Sequence, residues 1–209
     1  MPAVASPPEQ RVLLQNTSWE TYERLLAENV NQLGTRFFYD RGCLEIMVVS
    51  SGHETPNRTL AALAEAVAVE TGKDLFRTGS TTFKRKDLEK GFEPDSSFYQ
   101  RDIALVRGRD EIDLETDPAP ELVIEVDITS SSLARFPIFA AVGVLEVWRF
   151  DGSRVAMFRL EGTHYREVDT SIVLPPLTAT MATFFLEASR RQSLIEWLRS
   201  VQEWVRANR

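Results

Sequence analysis

Two acidic residues, Glu125 and Asp127, close the most apolar stretch of the chain and are separated by one valine. The stretch, residues 121–127, is typical of a buried β-strand, in which alternate side chains point to one face. Glu125 and Asp127 would then lie on the same face, about 7 Å apart and close to the reach of one divalent metal ion. The same pattern also fits an ordinary core strand with acids at its solvated end.

A third carboxylate, Asp95, begins another predicted strand, residues 96–100. Pro94 favours extended backbone before it. If the two strands are neighbours, Asp95, Glu125 and Asp127 converge on one point. Hard oxygen ligands in that number suit Mg²⁺ or Mn²⁺ rather than zinc. Such an ion polarises a phosphoryl oxygen and lowers the pKa of a bound water, which is the chemistry of phosphodiester hydrolysis.

Other catalytic mechanisms are poorly supported, because the chain has only two histidines that could act as a base. No G-x-S-x-G turn is present, and few bases are available for a serine triad. His164 lies in a predicted hairpin turn and is most simply a surface residue. His53 precedes a long predicted helix, so it either faces the same sheet edge as the acids or only hydrogen-bonds near the helix start.

The elements that must position these residues follow from periodicity and turn residues. Apolar spacing predicts a helix after Thr17, a long helix over 57–71 and a helix over 133–143 that ends at Gly143. Two apolar runs around Asp40-Arg-Gly predict a β-hairpin. From about residue 182 onward an aromatic stripe that includes Trp197 and Trp204 predicts one or two terminal helices.

Composition limits the class of protein. The chain has 209 residues, with 43% hydrophobic and 26% charged, which is the balance of a single globular domain. Its net charge of −7 argues against a general nucleic-acid binder but not against a local basic patch. The densest basic run, 84–90, is read first as a solvated loop. A single cysteine, Cys43, excludes internal disulfides and cysteine-rich zinc sites.

Targeting features are lacking in the sequence. No apolar run approaches the ~20 residues needed to cross a bilayer, so no membrane association is expected. The N-terminal residues have neither a basic nor an apolar signal region, and residues 1–16 are predicted to be a flexible tail. We therefore expect a cytoplasmic protein whose single domain spans 17–209.

The order of these features resembles the Uma-two type endonucleases of the PD-(D/E)XK superfamily. The resemblance covers about residues 19–168 and rests on four motifs, namely His53-Glu at a helix start, Glu-Pro-Asp95, Glu125-Val-Asp127 before a serine-rich turn, and Glu-Val-Trp148-Arg-Phe. It implies an α/β, restriction-endonuclease-like fold with a central mixed β-sheet flanked by α-helices. The implied activity is magnesium-dependent hydrolysis of nucleic acid, with DNA favoured as the partner.

The resemblance also implies roles for individual residues. Asp95 and Glu125 would bind the metal ion, and Asp127 stands where the superfamily pattern places lysine. In this family the basic residue comes instead from the helix after the serine-rich turn, where this chain has Arg135. A guanidinium stays charged and cannot lose its proton as lysine can, which puts activity in question. The first-motif acid or a supporting contact would come from His53, Glu54 or Glu65.

Two other functions compete with an active endonuclease. Arg135 and the acidic net charge favour a nuclease-derived binding or scaffold protein that has lost turnover. Alternatively, the acids lie at a solvated strand end, and the protein is an oligomer joined through the stripe of Trp197 and Trp204. The same stripe is compatible either with a homodimer of the nuclease or with closure of the core.

Overall fold

The computed structural model of the protein describes residues 10–29, 34–48, 51–128 and 131–209. The strands in these ranges are β1 (Gln10–Leu14), β2 (Thr35–Asp40), β3 (Cys43–Val48), β4 (Phe76–Arg77), β5 (Phe83–Arg85), β6 (Lys90–Phe92), β7 (Ser96–Tyr99), β8 (Leu122–Val126), β9 (Glu146–Phe150), β10 (Val155–Glu161) and β11 (His164–Val168). The helices are α1 (Trp19–Asn29), α2 (Ser51–Thr71), α3 (Ile103–Val106), α4 (Phe136–Val142), α5 (Ala179–Ala188) and α6 (Leu194–Asn208). Among the described residues, no helix is long and apolar enough to cross a membrane.

The smaller sheet is antiparallel, in the order β1-β3-β2-β6-β5. The predicted hairpin is confirmed as β2 and β3, which pair from Thr35 opposite Val48 to Asp40 opposite Cys43. Its turn residues, Arg41 and Gly42, have φ angles of 43° and 87°. A two-residue turn with both φ angles positive matches the twist of the strands it joins, which is why glycine is placed there.

The larger sheet is mixed, in the order β11-β10-β9-β8-β7-β4. Strands β8 and β9 run parallel, and the remaining neighbours are antiparallel. A parallel pair needs a crossover connection, which here contains a 3₁₀ turn over Ser132–Arg135 followed directly by α4. The expected α/β architecture with a central mixed sheet is therefore confirmed, with a second, antiparallel sheet beside it.

The larger sheet is covered on both faces. Leu122, Ile124 and Val126 of β8 pack in one core cluster with residues of α2, α5 and α6. Val123, between them in sequence, packs in a second cluster with residues of the smaller sheet and of α4. Because strand side chains alternate, Glu125 shares the face of Val123 and points into the space between the two sheets.

The aromatic stripe of the terminal helices closes the core. Trp197 is buried, and its indole Nε1 donates a hydrogen bond to the backbone oxygen of Phe185 at 2.7 Å. Trp204 packs edge-on against the Phe185 ring, with centroids 5.8 Å apart. These contacts place Trp197 and Trp204 against the core, in line with the core-closing alternative considered from the sequence.

Two expected boundaries are corrected. Residues 10–14 of the predicted tail form β1, which pairs with β3 and is joined to it by the ion pair of Arg11 with Glu45; residues 1–9 lie outside the described part. Helix α2 begins at Ser51 rather than at Asn57, with Pro56 inside it. His53 consequently lies within the helix and not on a connector before it.

Candidate nuclease site

The acids Asp95 and Glu125 lie at one end of the larger sheet because β7 and β8 are antiparallel neighbours, as expected from the sequence. Ser96 pairs with Ile124 and Ser97 pairs with Val123. One further step of this register brings Asp95 opposite Glu125. At this separation the negative charge of Asp95 acts on the pKa of Glu125.

Asp95 is fixed by groups from three directions. Its Oδ2 accepts a hydrogen bond from the backbone nitrogen of Val126 at 2.8 Å. The Nδ1 atom of His53 lies 3.5 Å from the same oxygen, an ion pair when the imidazole is protonated. One turn after His53, Asn57 donates its Nδ2 to the backbone oxygen of Asp95 at 3.1 Å and accepts from Ser96 Oγ at 2.8 Å. Helix α2 therefore clamps the start of β7.

Glu125 is 1% exposed and has only part of its hydrogen-bonding capacity satisfied. Its Oε2 accepts from Arg135 Nη1 at 2.9 Å, whereas its Oε1 is buried and accepts no hydrogen bond from the described residues. Burial raises the pKa of Glu125 well above its ordinary value, and the charge of Asp95 raises it further. Arg135 acts in the opposite direction, because a nearby cation favours the carboxylate.

Arg135 bridges the two sheets. It is 3% exposed, and besides Glu125 on β8 it donates Nη2 to Glu45 Oε1 on β3 at 2.7 Å. The same nitrogen lies 3.1 Å from Met47 Sδ. Its guanidinium carbon lies 3.8 Å from the centre of the Phe38 ring, a cation–π geometry. The predicted basic residue is thus at the site, but its charge is directed at two glutamates.

Asp127 serves a different structure from the other two acids. Its Oδ2 accepts from the backbone nitrogen of Ser132 at 2.8 Å and from Ser132 Oγ at 3.1 Å, and it forms an ion pair with Arg149. No group of three or more histidine, cysteine, aspartate or glutamate side chains that could hold a metal ion occurs within the described residues. The expected convergence of three carboxylates is therefore corrected to a pair, because Arg149 and the Ser132 turn hold Asp127.

The acids are not at a solvated strand end. Asp95 and Asp127 are 7% and 5% exposed, and Glu125 is less exposed still. Leaving carboxylates in such surroundings is costly unless cations or hydrogen bonds compensate. This burial removes the main support for the interpretation of these acids as ordinary surface charges.

A cleft of about 270 Å³ adjoins Asp95 and carries three arginines, Arg36, Arg58 and Arg77. Arg58 and Arg77 are exposed and pair with Glu54 at 2.6 Å and Glu65 at 3.5 Å, respectively. Exposed ion pairs of this kind contribute little stability and can be exchanged for a phosphate at small cost. The cleft therefore offers cations beside Asp95 despite the acidic net charge of the chain.

Comparison with known proteins gives the family of the chain. The Uma2 family, described as "Putative restriction endonuclease", matches residues 19–188. The chain belongs to the Uma2 family. This membership confirms the resemblance drawn from the motifs and extends it to the end of α5, so that both sheets lie almost wholly within the matched range.

Among the solved structures similar to this Uma2 chain is a protein from Anabaena variabilis ATCC 29413, titled "putative nuclease belonging to DUF820". The two share 16% sequence identity over 79% of this chain and 90% of the other, with a TM-score of 0.48. No match was found among curated proteins. The assignment to the family thus rests on the family match and not on the solved structure.

Several residues of this candidate site were not singled out from the sequence. Glu45 lies within an apolar strand run, and only its charge there could have marked it. Asn57 lies four residues after His53, which places both on one helix face. The three cleft arginines are far apart in sequence and carry no local signal. By contrast, the basic run 84–90 engages its own neighbours, since Lys90 pairs with Asp40 and Arg85 with Asp87.

Proposed function

We propose that the protein is a metal-dependent endonuclease that hydrolyses phosphodiester bonds of nucleic acid, with Asp95 and Glu125 as the ligands of a Mg²⁺ or Mn²⁺ ion. The observation that carries the proposal is the buried Glu125 Oε1, which has no hydrogen-bond donor among the described residues. A buried carboxylate oxygen without a donor is costly, and a divalent cation is the partner that would compensate it.

The residues present fit such an ion. Mg²⁺ takes oxygen ligands and is commonly bound by one or two carboxylates, with water and substrate phosphate completing its octahedral coordination. Asp95 and Glu125 supply two carboxylates at one sheet end, so a third protein acid is not required. When bound, the ion would polarise the phosphoryl oxygen and lower the pKa of a bound water.

The remaining residues hold this pair in place. His53 and the backbone N–H of Val126 fix Asp95 Oδ2. Burial raises the pKa of Glu125, and Arg135 opposes that shift because a nearby cation favours the carboxylate. We assign Asp127 to holding the turn at Ser132, which in turn positions Arg135 three residues later.

The cleft arginines give the proposal its substrate class. Arg36, Arg58 and Arg77 line the same cleft as Asp95, and arginine forks match the geometry of phosphate oxygens. A backbone phosphate held there would lie beside the acidic pair. We therefore propose nucleic acid as the substrate, with DNA as the first choice to test.

Calorimetric titration with Mn²⁺ and Mg²⁺ tests the metal site. We expect saturable binding by the wild type, loss of binding in Asp95→Ala, and unchanged binding in Glu187→Gln, which removes an exposed acid on α5. Cleavage of single-stranded and double-stranded DNA and RNA is then measured with the same proteins. A wild type that binds neither ion would rule out the proposed mechanism.

A second candidate, a nuclease-derived protein that binds nucleic acid without cleaving it, is favoured by one observation. Arg135 is buried and donates to two glutamates, so in this arrangement it does not face a phosphate in the cleft. If the wild type binds Mn²⁺ but cleaves nothing, and Arg135→Lys cleaves DNA, the second candidate describes the natural protein.

A further inference from the structure

Glu45, which belongs to the smaller sheet, extends the candidate site by one charged residue. Its Oε1 accepts from Arg135 Nη2 at 2.7 Å, and its Oε2 accepts from Arg11 Nη2 at 2.8 Å. Together with the contact of Arg135 to Glu125, this forms a line of alternating charge from the edge strand β1 to the end of β8. In order, the line consists of Arg11, Glu45, Arg135 and Glu125.

The way Arg135 divides its donors is unusual for a buried arginine beside a carboxylate. Arginine and carboxylate groups frequently pair through two parallel hydrogen bonds. Here Glu125 receives one hydrogen bond, from Nη1, and Glu45 takes Nη2. The Phe38 ring under the guanidinium fixes its plane. The second donor is therefore kept away from Glu125, and Glu125 Oε1 keeps its lone pairs.

We propose that Glu45 is a positioning residue that holds Arg135 to a single hydrogen bond with Glu125 and so keeps Glu125 Oε1 open for the divalent ion. The inference rests on the metal site proposed above. Without the charge of Glu45, Arg135 turns both donors onto Glu125 and covers the oxygen that the ion needs. Arg11 supports this arrangement by neutralising the other oxygen of Glu45.

The test uses Mn²⁺ affinity measured by calorimetry without substrate. Removing a residue that orients a metal ligand typically weakens metal binding about 10–100-fold, and we expect a loss in this range for Glu45→Gln. Glu45→Leu, which leaves Arg135 no carboxylate acceptor on β3, should weaken Mn²⁺ binding at least as much. Asp40→Asn is the matched control, because Asp40 lines the same 560 Å³ cavity as Glu45 but pairs with Arg41 and Lys90.

The Arg135→Lys background separates positioning from a general structural effect. An ammonium is a compact point charge and cannot cover a carboxylate with two parallel donors. Glu45→Gln should therefore weaken Mn²⁺ binding by less than about threefold when combined with Arg135→Lys, since the effect acts through the guanidinium fork. A crystal structure of Glu45→Gln should show both Nη atoms of Arg135 on Glu125.

The outcomes are distinct. Equal loss of Mn²⁺ affinity in both backgrounds, or no loss in either, would overturn the role of Glu45 and leave the proposed nuclease site intact. A wild type that binds no Mn²⁺ would overturn the nuclease site and the role of Glu45 together. If Glu45→Leu does not fold, Glu45→Gln and its combination with Arg135→Lys decide the question.

Discussion

Two buried glutamates at opposite ends of β8, Glu121 and Glu125, show how the same residue type serves structure at one end and a site at the other. Glu121 accepts three backbone hydrogen bonds, from the N–H groups of Gln100, Arg101 and Asp102, at 2.9, 3.0 and 3.1 Å. Both of its oxygens are used. Glu125 has one donor on Oε2 and none on Oε1 among the described residues.

The difference lies in what surrounds each end of the strand. The loop after β7 turns three backbone N–H groups towards Glu121, which satisfies the charge locally. At the other end the charges that act on Glu125 are two further acids, Asp95 and Asp127, and one arginine that is shared with Glu45. A buried acid with all its hydrogen bonds made fastens the fold, whereas one left short of donors is available to a ligand.

The largest expected effect is on cleavage. Glu125→Gln and Asp95→Asn should each lower kcat/KM about 1,000-fold or more, because metal-ion catalysis supplies several kcal/mol of transition-state stabilisation. Both variants should fold, since each replaces a buried charge by a neutral group of the same shape. Thermal unfolding and single-turnover cleavage check this. Retained cleavage by Glu125→Gln would place the metal site elsewhere.

The opposite behaviour is expected at the other end of the strand. Glu121→Leu should lower the free energy of unfolding by about 3 kcal/mol, because three backbone N–H groups lose their acceptor. The folded fraction should still bind Mn²⁺ with wild-type affinity. Urea denaturation and calorimetry measure the two quantities. A loss of Mn²⁺ binding in fully folded Glu121→Leu would contradict the division between the two ends.

A smaller effect is expected from the cleft beside Asp95. Arg77→Ala should reduce the slope of log Kd for duplex DNA against log salt concentration by about 1, the value for one phosphate contact. Arg166→Ala is the control, since it removes an exposed arginine on β11 that pairs with Glu161. Fluorescence anisotropy at several salt concentrations checks both. Equal slopes for the two variants would exclude Arg77 from the nucleic-acid surface.

The smallest effect is expected at Asp151, which like Glu121 accepts backbone hydrogen bonds but is largely solvated. Backbone hydrogen bonds from Arg154 and Ser153, with the Ser153 hydroxyl, lower its pKa from 3.8 to about 2. Its contribution is therefore present above about pH 4 and is lost as pH falls through 2. Asp151→Asn should cost less than about 1 kcal/mol at pH 5, because solvent screens the charge. Urea denaturation at pH 5 and pH 2.5 should show this difference shrinking; a constant difference would contradict the assignment.

Much of the fold followed from local pattern. Alternation along 121–127, the Arg41-Gly42 turn and the periodicity of the long helix each depend on neighbours in sequence, so each was predicted before any contact was known. The positions of Asp95 and Glu125 at strand ends followed as well, whereas their pairing required β7 and β8 to be neighbours, which only the structure shows. The start of α2 was misjudged, since Pro56 reads as a helix boundary although the helix passes through it.

The use of each charge was decided only by the tertiary structure. The spacing of Asp127 from Glu125 in the sequence says nothing about Arg149. Only the parallel pairing of β8 with β9 brings Arg149 to Asp127. Arg135 meets Glu45 across 90 positions of sequence because two sheets face each other there. The sequence by itself thus determined which acids lie at strand ends. The pairing of the strands and the packing of the sheets determined which acids meet and which of them has an oxygen left for a ligand, because hydrogen-bond satisfaction depends on every neighbour in space.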